Sequence, residues 1–400
     1  MERKILIEKR ENRIRTFFLE DGDIVEIHSA AEEAAGIGSH RLGDVYVGKV
    51  KNIVPNIGAA FIEIEKGVNC YYDMKDAENS FFTHKSGKKA LCIGDELVVQ
   101  ISREAVKTKA PTVTGSISFT GRYAVLTHGN TRIGVSSKIP KSLKDEYKER
   151  LSGFQNDRYG IIVRTNAKDV PFQDVLDEIN SLKEEYEALF QTASTRKCFS
   201  CLKSAPPSYI LDLKNVYMDG MKEIIIGDKG LYTRIHSYFR TELPDKLSLL
   251  KLYDDPSFPL DKLYSTQTIL EKALRERAWL KTGGYLIIQP TEALTVIDVN
   301  SGKAAAKAGS RTQSEDGAMK VNLEAAREAA KQIRLRNLSG IIIIDFINMG
   351  SEENTQQLLH EFRFYLSKDP IQTSLVDMTP LGLVEVTRKK VRRPLYEEEN

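Results

Sequence analysis

Hydrophobic and polar residues alternate along residues 4–9, 13–20 and 23–27, with charged turns between them, and predict short strands. A linker is expected at 30–42. Residues 43–116 change rhythm. Short strands are spaced by Gly, Pro and Asn, with Gly43, Gly48, Gly58, Gly67 and Gly94 as punctuation, the pattern of a small β-barrel. Residues 117–207 mix strands at 122–127 and 160–165 with a charged amphipathic helix at 172–195. Residues 208–275 read as a further α/β piece, with strands at 216–218 and 223–226 and a helix at 265–277. Strands at 285–289, 294–299 and 340–346 come last, with helices at 318–336 and 352–367. The first of these helices puts Leu323, Ala326, Ala330 and Ile333 on one face, as core packing requires. The tail 396–400 is acidic and expected to be loose.

Composition narrows the class. A chain of 400 residues with 41% hydrophobic positions has room for about two to four domains. Its 58 basic and 56 acidic residues nearly cancel, to +2, so nucleic-acid binding would depend on local clusters of Lys and Arg. No apolar run reaches membrane-spanning length, and Met1-Glu2-Arg3-Lys4 leads into a strand pattern and not into a secretory signal. With four cysteines a disulfide framework is not expected. The expectation is a soluble, cytoplasmic protein without membrane contact.

The strongest chemical signal is a pair of similar segments. Leu294-Thr-Val-Ile-Asp298-Val-Asn300-Ser301 and Ile341-Ile-Ile-Ile-Asp345-Phe346 are both apolar strands that end in an acid. A rigid strand fixes the carboxylate, and its edge leaves room for water and substrate, which suits a divalent metal. Two Asp without a nearby His or Cys favour Mg²⁺ or Mn²⁺ over Zn²⁺. Asn300 lies two residues after Asp298, on the same face of an extended chain. The competing reading is that each Asp only starts a turn or caps a helix.

Around these residues the sequence resembles the ribonuclease E/G family. The resemblance is carried by Gly283-Gly284-Tyr285, Thr291-Glu292-Ala293-Leu294-Thr295, Ile297-Asp298-Val299-Asn300-Ser301, Asn322-Leu323-Glu324-Ala325-Ala326, Gln332-Ile333-Arg334-Leu335-Arg336, Ile344-Asp345-Phe346-Ile347, Leu381-Gly382-Leu383-Val384-Glu385 and Thr387-Arg388-Lys389. It runs through nearly the whole chain, more weakly in 130–280. It implies a metal held by Asp298 and Asp345, supported by Asn300, that activates water for in-line attack on a phosphodiester. The products would carry a 5′-phosphate and a 3′-hydroxyl.

The resemblance also implies a multidomain α+β plan. A discontinuous, non-catalytic ribonuclease H-like domain (1–39 and 208–275) would carry an inserted OB-fold RNA-binding domain (40–116) and a 5′-sensor (117–207). A DNase I-like catalytic domain (276–395) would follow. OB barrels bind single strands by stacking bases on aromatics and tracking phosphates with basic residues. Ala59-Ala60-Phe61 and Cys70-Tyr71-Tyr72 supply aromatics, and Lys107 and Lys109 supply charge. By family position Phe61, Tyr71 and Lys109 are RNA contacts, although lone barrel aromatics are more often core. Tyr71 stands where the family usually has Phe. The family's pocket for a 5′-monophosphate matches Gly121, Val125, Arg164 and Thr165, where an Arg fork, a hydroxyl and a backbone amide would meet a terminal phosphate. The alternative for Arg164 is a surface ion pair.

Two further basic groups are either solvated or phosphate contacts. One is the run Arg388-Lys-Lys-Val-Arg-Arg393. The other is the helix face with Arg327, Lys331 and Arg334.

The sequence also departs from the family pattern. The chain ends at Asn400 without the Cys-x-x-Cys zinc link and small dimerisation domain that usually follow, so a monomer or weak homodimer is expected. Cys198-Phe-Ser-Cys201 lies elsewhere and offers two of the four thiolates a structural zinc needs, so zinc is not expected. Asn348 stands where many members have a second Asp, and Pro380 where an Arg often precedes the Leu-Gly segment. The expected function is an endoribonuclease acting on single-stranded, A/U-rich, 5′-monophosphorylated RNA in RNA decay or ribosomal RNA processing. The reading from a different class is an RNA-binding protein with little or no cleavage. A recruiting scaffold is disfavoured, because such roles usually need long disordered tails.

Overall fold

The strands predicted at the start of the chain form as Arg3–Arg10, Arg13–Glu20 and Asp23–Ala31, an antiparallel meander. In the computed structural model the described residues are 2–32, 40–87, 90–103, 110–216, 220–302 and 311–399, with only the backbone for 311–314. The chain divides into two compact units, Met1–Glu32 with Met218–Asn400, and Glu33–Tyr217.

In the first unit the N-terminal meander is completed from far along the sequence. Met221–Ile226 pairs parallel to Arg3–Arg10, and Leu250–Leu252 pairs parallel to Met221–Ile226, giving a five-stranded sheet. Leu6, Phe17, Leu19 and Ile27 from the sheet pack with Leu260 and Leu270. The helix Lys229–Glu242, absent from the sequence reading, begins where the Asp228 carboxylate accepts the Leu231 N–H at 2.7 Å. Of the strand expected at 216–218, Val216 instead caps the helix Ser208–Asn215, which belongs to the second unit, and 217–218 lie outside the described residues.

The second sheet of this unit has six strands in the order Arg277–Trp279, Tyr285–Pro290, Thr295–Asn300, Gly340–Asp345, Leu383–Arg388, Thr373–Met378. The helix expected to run to 277 stops at Leu274, because Arg277 joins this sheet. One face is covered. Leu286, Ile288, Ile297, Val299, Ile342, Ile344, Val384 and Val386 pack against the helices Arg311–Leu335 and Glu352–Leu366. Ala325, Ala326 and Ala329 turn a smooth flank toward that core, and Phe362 is fully buried beside Phe346. Truncating a side chain such as Phe362 to Ala in such a core costs about 3–5 kcal/mol.

The acidic tail is a correction. It is not loose: Leu395–Glu399 is helical, Leu395 is fully buried, and Glu399 forms a two-pronged bond to Arg15 at 2.7 and 2.8 Å. Glu398 accepts the Ser29 N–H at 2.9 Å and Arg392 at 2.7 Å. Unpaired basic residues on the meander would repel one another, and the tail supplies their counter-charges.

In the second unit, five strands close into an OB-like barrel. Val45–Val54, Ala59–Glu65, Val68–Asp73, Thr112–Thr114 and Glu96–Arg103 follow in order, and the last pairs back onto the first. Ala60, Ile62, Cys70, Tyr72, Val99 and Val113 fill it. At Gly48 an added Cβ would come within 2.5 Å of the Ile62 side chain, so the barrel wall requires glycine there. A four-stranded sheet of Ser118–Thr120, Ala124–His128, Tyr159–Val163 and Ile133–Val135 carries the helix Phe172–Ala193, which buries Val175, Ile179, Leu182, Tyr186 and Phe190. The whole chain is thus mixed α+β. Among the described residues no helix is long and apolar enough to cross a membrane.

Candidate active site

The two strand-end acids come together. Thr295–Asn300 and Gly340–Asp345 are adjacent and parallel, and their register pairs Asp298 with Asp345 directly. Neighbouring strands lie about 4.8 Å apart, so both carboxylates rise side by side from one face. It is the face turned away from the two helices, since Ile297, Val299, Ile344 and Phe346 point into the helix-packed core. Asn300 shares that face, and its Nδ2 donates to Asp298 Oδ2 at 2.7 Å. Among the described residues no cation pairs with either carboxylate. Two acids in register, one oriented by an amide and neither neutralised, form an oxygen donor set suited to a hard divalent cation.

Other residues hold this pair in place. Asn322, fully buried, donates from Nδ2 to the Ile347 carbonyl at 2.8 Å and accepts the Ile347 N–H at 3.0 Å. This clamp fixes the backbone two residues beyond Asp345. Glu324, on the same helix, accepts the N–H groups of Lys281 and Thr282 at 2.5 and 3.0 Å, anchoring the loop that leads to Gly284. A Cβ at Gly284 would lie 2.7 Å from the Asn300 carbonyl oxygen, so only glycine lets the chain pass there. Asn322 and Glu324 lie inside a family-like motif, but their supporting roles were not read from the sequence. A buried Asn one helical turn from a core alanine face was the available signal.

Phe61 and Tyr71 are cross-strand partners on the barrel, half-buried, with ring centroids 6.4 Å apart and planes at 87°. Their neighbours Ala60, Ile62, Cys70 and Tyr72 point inward, so strand alternation turns the pair outward. They are not interior core. Tyr71 lies beside Thr112, and its N–H donates to the Pro111 carbonyl at 2.8 Å. Lys109 and Lys107 lie outside the described residues.

Gly121 and Arg164 meet as well. The Arg164 guanidinium donates to the Gly121 carbonyl at 2.6 Å and to Asn215 Oδ1 at 3.0 Å. Burial lowers its pKa from the ordinary value, against the charge of Glu178. Thr165 Oγ1 contacts Ser136 Oγ at 2.8 Å, and Val125 pairs with Ile162 on the outward side of its strand. The surface ion pair considered for Arg164 is not what forms; its bonds go to neutral oxygens. Glu178 was not anticipated. Its carboxylate accepts the N–H groups of Arg122, Tyr123 and Ala124 at 2.8, 2.7 and 2.9 Å, filling a backbone nest of the kind that binds anions.

The two other basic groups are largely structural. Arg388 is buried, donating to Asp369 at 2.7 Å and to the Leu338 carbonyl at 3.1 Å, and Arg392 is held by Glu398. Lys389 and Lys390 remain exposed. On the helix, Arg334 forks onto Glu20 at 3.0 and 3.1 Å and reaches Glu26 at 3.3 Å. Burial alone would raise Glu26, yet His28 and Arg334 hold it at about 2. Burial also pushes the Cys198 thiol up to about 11 and raises that of Cys201, so both are protonated at neutral pH.

This arrangement sits in a recognisable sequence context. Residues 118–391 match the model of the ribonuclease E/G family, and the chain belongs to that family. It is 33% identical to a ribonuclease E from Synechocystis over 92% of this chain and 55% of that protein. It is 30% identical to a ribonuclease G from Salmonella typhimurium over 98% of this chain and 81% of that protein. With an Escherichia coli ribonuclease G the identity is 29% over 99% of this chain and 81% of the relative. The chain thus spans little more than half the length of the ribonuclease E relative.

Proposed function

We propose that this protein is a magnesium-dependent endoribonuclease that hydrolyses single-stranded, A/U-rich RNA and leaves 5′-phosphate and 3′-hydroxyl ends. The observation that carries the reading is the in-register pairing of Asp298 with Asp345, unneutralised among the described residues, in a chain of the ribonuclease E/G family. Asp298 and Asp345 would hold Mg²⁺, with Mn²⁺ as a substitute. The bound ion would supply an activated water and offset charge building on the phosphate. Asn300 holds one oxygen of Asp298, keeping the carboxylate plane fixed when substrate arrives. Asn322 keeps the backbone beyond Asp345 from shifting.

The sheet from 3–31 with 221–252 would serve as the ribonuclease H-like scaffold and the six-stranded sheet as the DNase I-like catalytic domain. On the barrel, Phe61 and Tyr71 stack bases while Lys109 meets phosphate. Gly121, Val125, Arg164 and Thr165 receive a 5′-monophosphate.

The test is incubation of the protein with a short A/U-rich RNA bearing a 5′-monophosphate, in Mg²⁺ and in EDTA, with fragment masses read out. Internal cuts that require Mg²⁺ and yield 5′-phosphate fragments are expected. Tight binding without cleavage in Mg²⁺ would instead favour a purely RNA-binding role.

A further inference from the structure

Beside the carboxylates, the face of the six-stranded sheet turned away from the helices carries an aromatic and cationic cluster. Register places Tyr285 opposite Asn300, Trp279 opposite Tyr285, and Arg277 opposite Ile287, which itself pairs with Asp298. Paired residues share a face, so all of them stand on the side that bears Asp298 and Asp345. Trp279 is 65% exposed, an unusual position for the chain's single tryptophan. Its ring meets Tyr285 edge-on, with centroids 5.3 Å apart. The Arg277 guanidinium lies 4.3 Å from the Tyr285 centroid and 5.3 Å from that of Trp279.

An exposed Trp contributes nothing to the core, and its two neighbours hold its edge and flank while leaving the ring accessible. Aromatic faces accept any nucleobase, and an adjoining Arg adds both cation–π attraction and a phosphate partner. Two strand spacings, about 10 Å, separate Trp279 from the Asn300 row. That reach suits a base flanking a phosphodiester held at Asp298 and Asp345. A charged, stacking surface continuous with a carboxylate pair fits a nucleic-acid strand better than a second protein copy, which would have to bury Arg277 without a counter-charge.

We infer that Arg277, Trp279 and Tyr285 form a base-stacking platform that positions single-stranded RNA at the Asp298–Asp345 site. The inference rests on the nuclease reading and extends it to a positioning surface.

The single tryptophan makes the test direct. Trp279 emission is followed in EDTA while the full chain is titrated with a 5′-monophosphorylated A/U-rich RNA, and with an abasic ribose-phosphate oligomer of equal length. Binding is monitored separately by anisotropy of the labelled oligomers. RNA with bases is expected to quench Trp279 emission, and the abasic oligomer to bind without quenching. In Mg²⁺, Trp279→Ala is expected to raise KM about tenfold, equal to the ~1.4 kcal/mol of one stacked base, with kcat within about twofold. Trp279→Phe should restore most of the KM. RNA binding with unchanged emission and an unchanged KM in Trp279→Ala would overturn the platform while leaving the nuclease reading intact. Emission that shifts with protein concentration alone would assign the surface to a second copy. Absence of both RNA binding and cleavage would defeat the nuclease reading, and the platform with it.

Discussion

The carboxylate pair and the Gly121–Arg164 cluster are both candidate sites for phosphate chemistry, yet they are compensated in opposite ways. Asp298 and Asp345 stand in register with no cation beside them among the described residues, where the side-chain partner of Asp298 is the neutral Asn300 amide. Arg164 already spends its fork on the Gly121 carbonyl and Asn215, and the nearby backbone nest is occupied by Glu178. The first site is open to an external charge. The second must exchange internal partners for a ligand. Rigid strand register can hold like charges together at the first, whereas a turn can rearrange at the second.

The largest effect on stability should come from the support under the open site. Asn322→Ala leaves the Ile347 N–H and carbonyl without their side-chain partner and should cost about 2–4 kcal/mol in urea unfolding, with a fall in kcat. Unchanged stability would mean that the backbone beyond Asp345 is held by something else. Next, Asn300→Ala should lower kcat about 10–100-fold while RNA affinity changes little, as expected when a ligand's orienting partner is lost. A loss confined to KM would place Asn300 in substrate binding.

Arg164→Lys sharpens the other side of the contrast. It keeps a charge but removes the fork, so the preference for 5′-monophosphate over 5′-hydroxyl RNA should drop about tenfold, with cleavage of 5′-hydroxyl RNA little changed. Equal loss on both RNAs would reduce Arg164 to a local brace.

The smallest effect concerns a third kind of carboxylate. Burial pushes Glu8 up to about 7, against the hydrogen bonds donated by Thr266 Oγ1 at 2.9 and 3.2 Å. The unfolded carboxyl titrates near 4.5, so the folded chain binds the extra proton between those values. Stability therefore falls as pH rises from about 4.5 to 7 and stays lower above. Glu8→Gln should exceed the parent by about 1 kcal/mol at pH 8, with the gap closing by pH 5, in urea midpoints. A pH-independent gap would show that Glu8 is not protonated when folded.

The sequence made some of this contrast legible. Asp298 and Asn300 could be placed on one face because strand periodicity is strict, and the barrel showed in its glycine spacing, but only the parallel register sets Asp345 beside Asp298. Lys229–Glu242 carries local signals, the Asp228 cap and an apolar face of Leu231, Ile235 and Phe239, that the strand pattern beside it obscured, whereas the tail helix depends on partners distant in sequence, Arg15 and Ser29. Arg334 looked like a surface cation until the sheet brought Glu20 and Glu26 beneath it. Glu178 carried no local signal at all, since the amides it binds lie more than fifty residues away.

The central claim is that Asp298 and Asp345 together form the metal-dependent cutting site. The most direct measurement compares Asp345→Asn and Asp298→Asn with the parent for RNA cleavage in Mg²⁺ and for RNA binding by anisotropy, with folding checked by circular dichroism. Each variant should bind RNA within about threefold of the parent and lose about 10³-fold or more in cleavage rate, and the double variant should lose little beyond either single one, as groups acting as one unit do. Cleavage within tenfold of the parent in a folded Asp345→Asn variant would contradict the account.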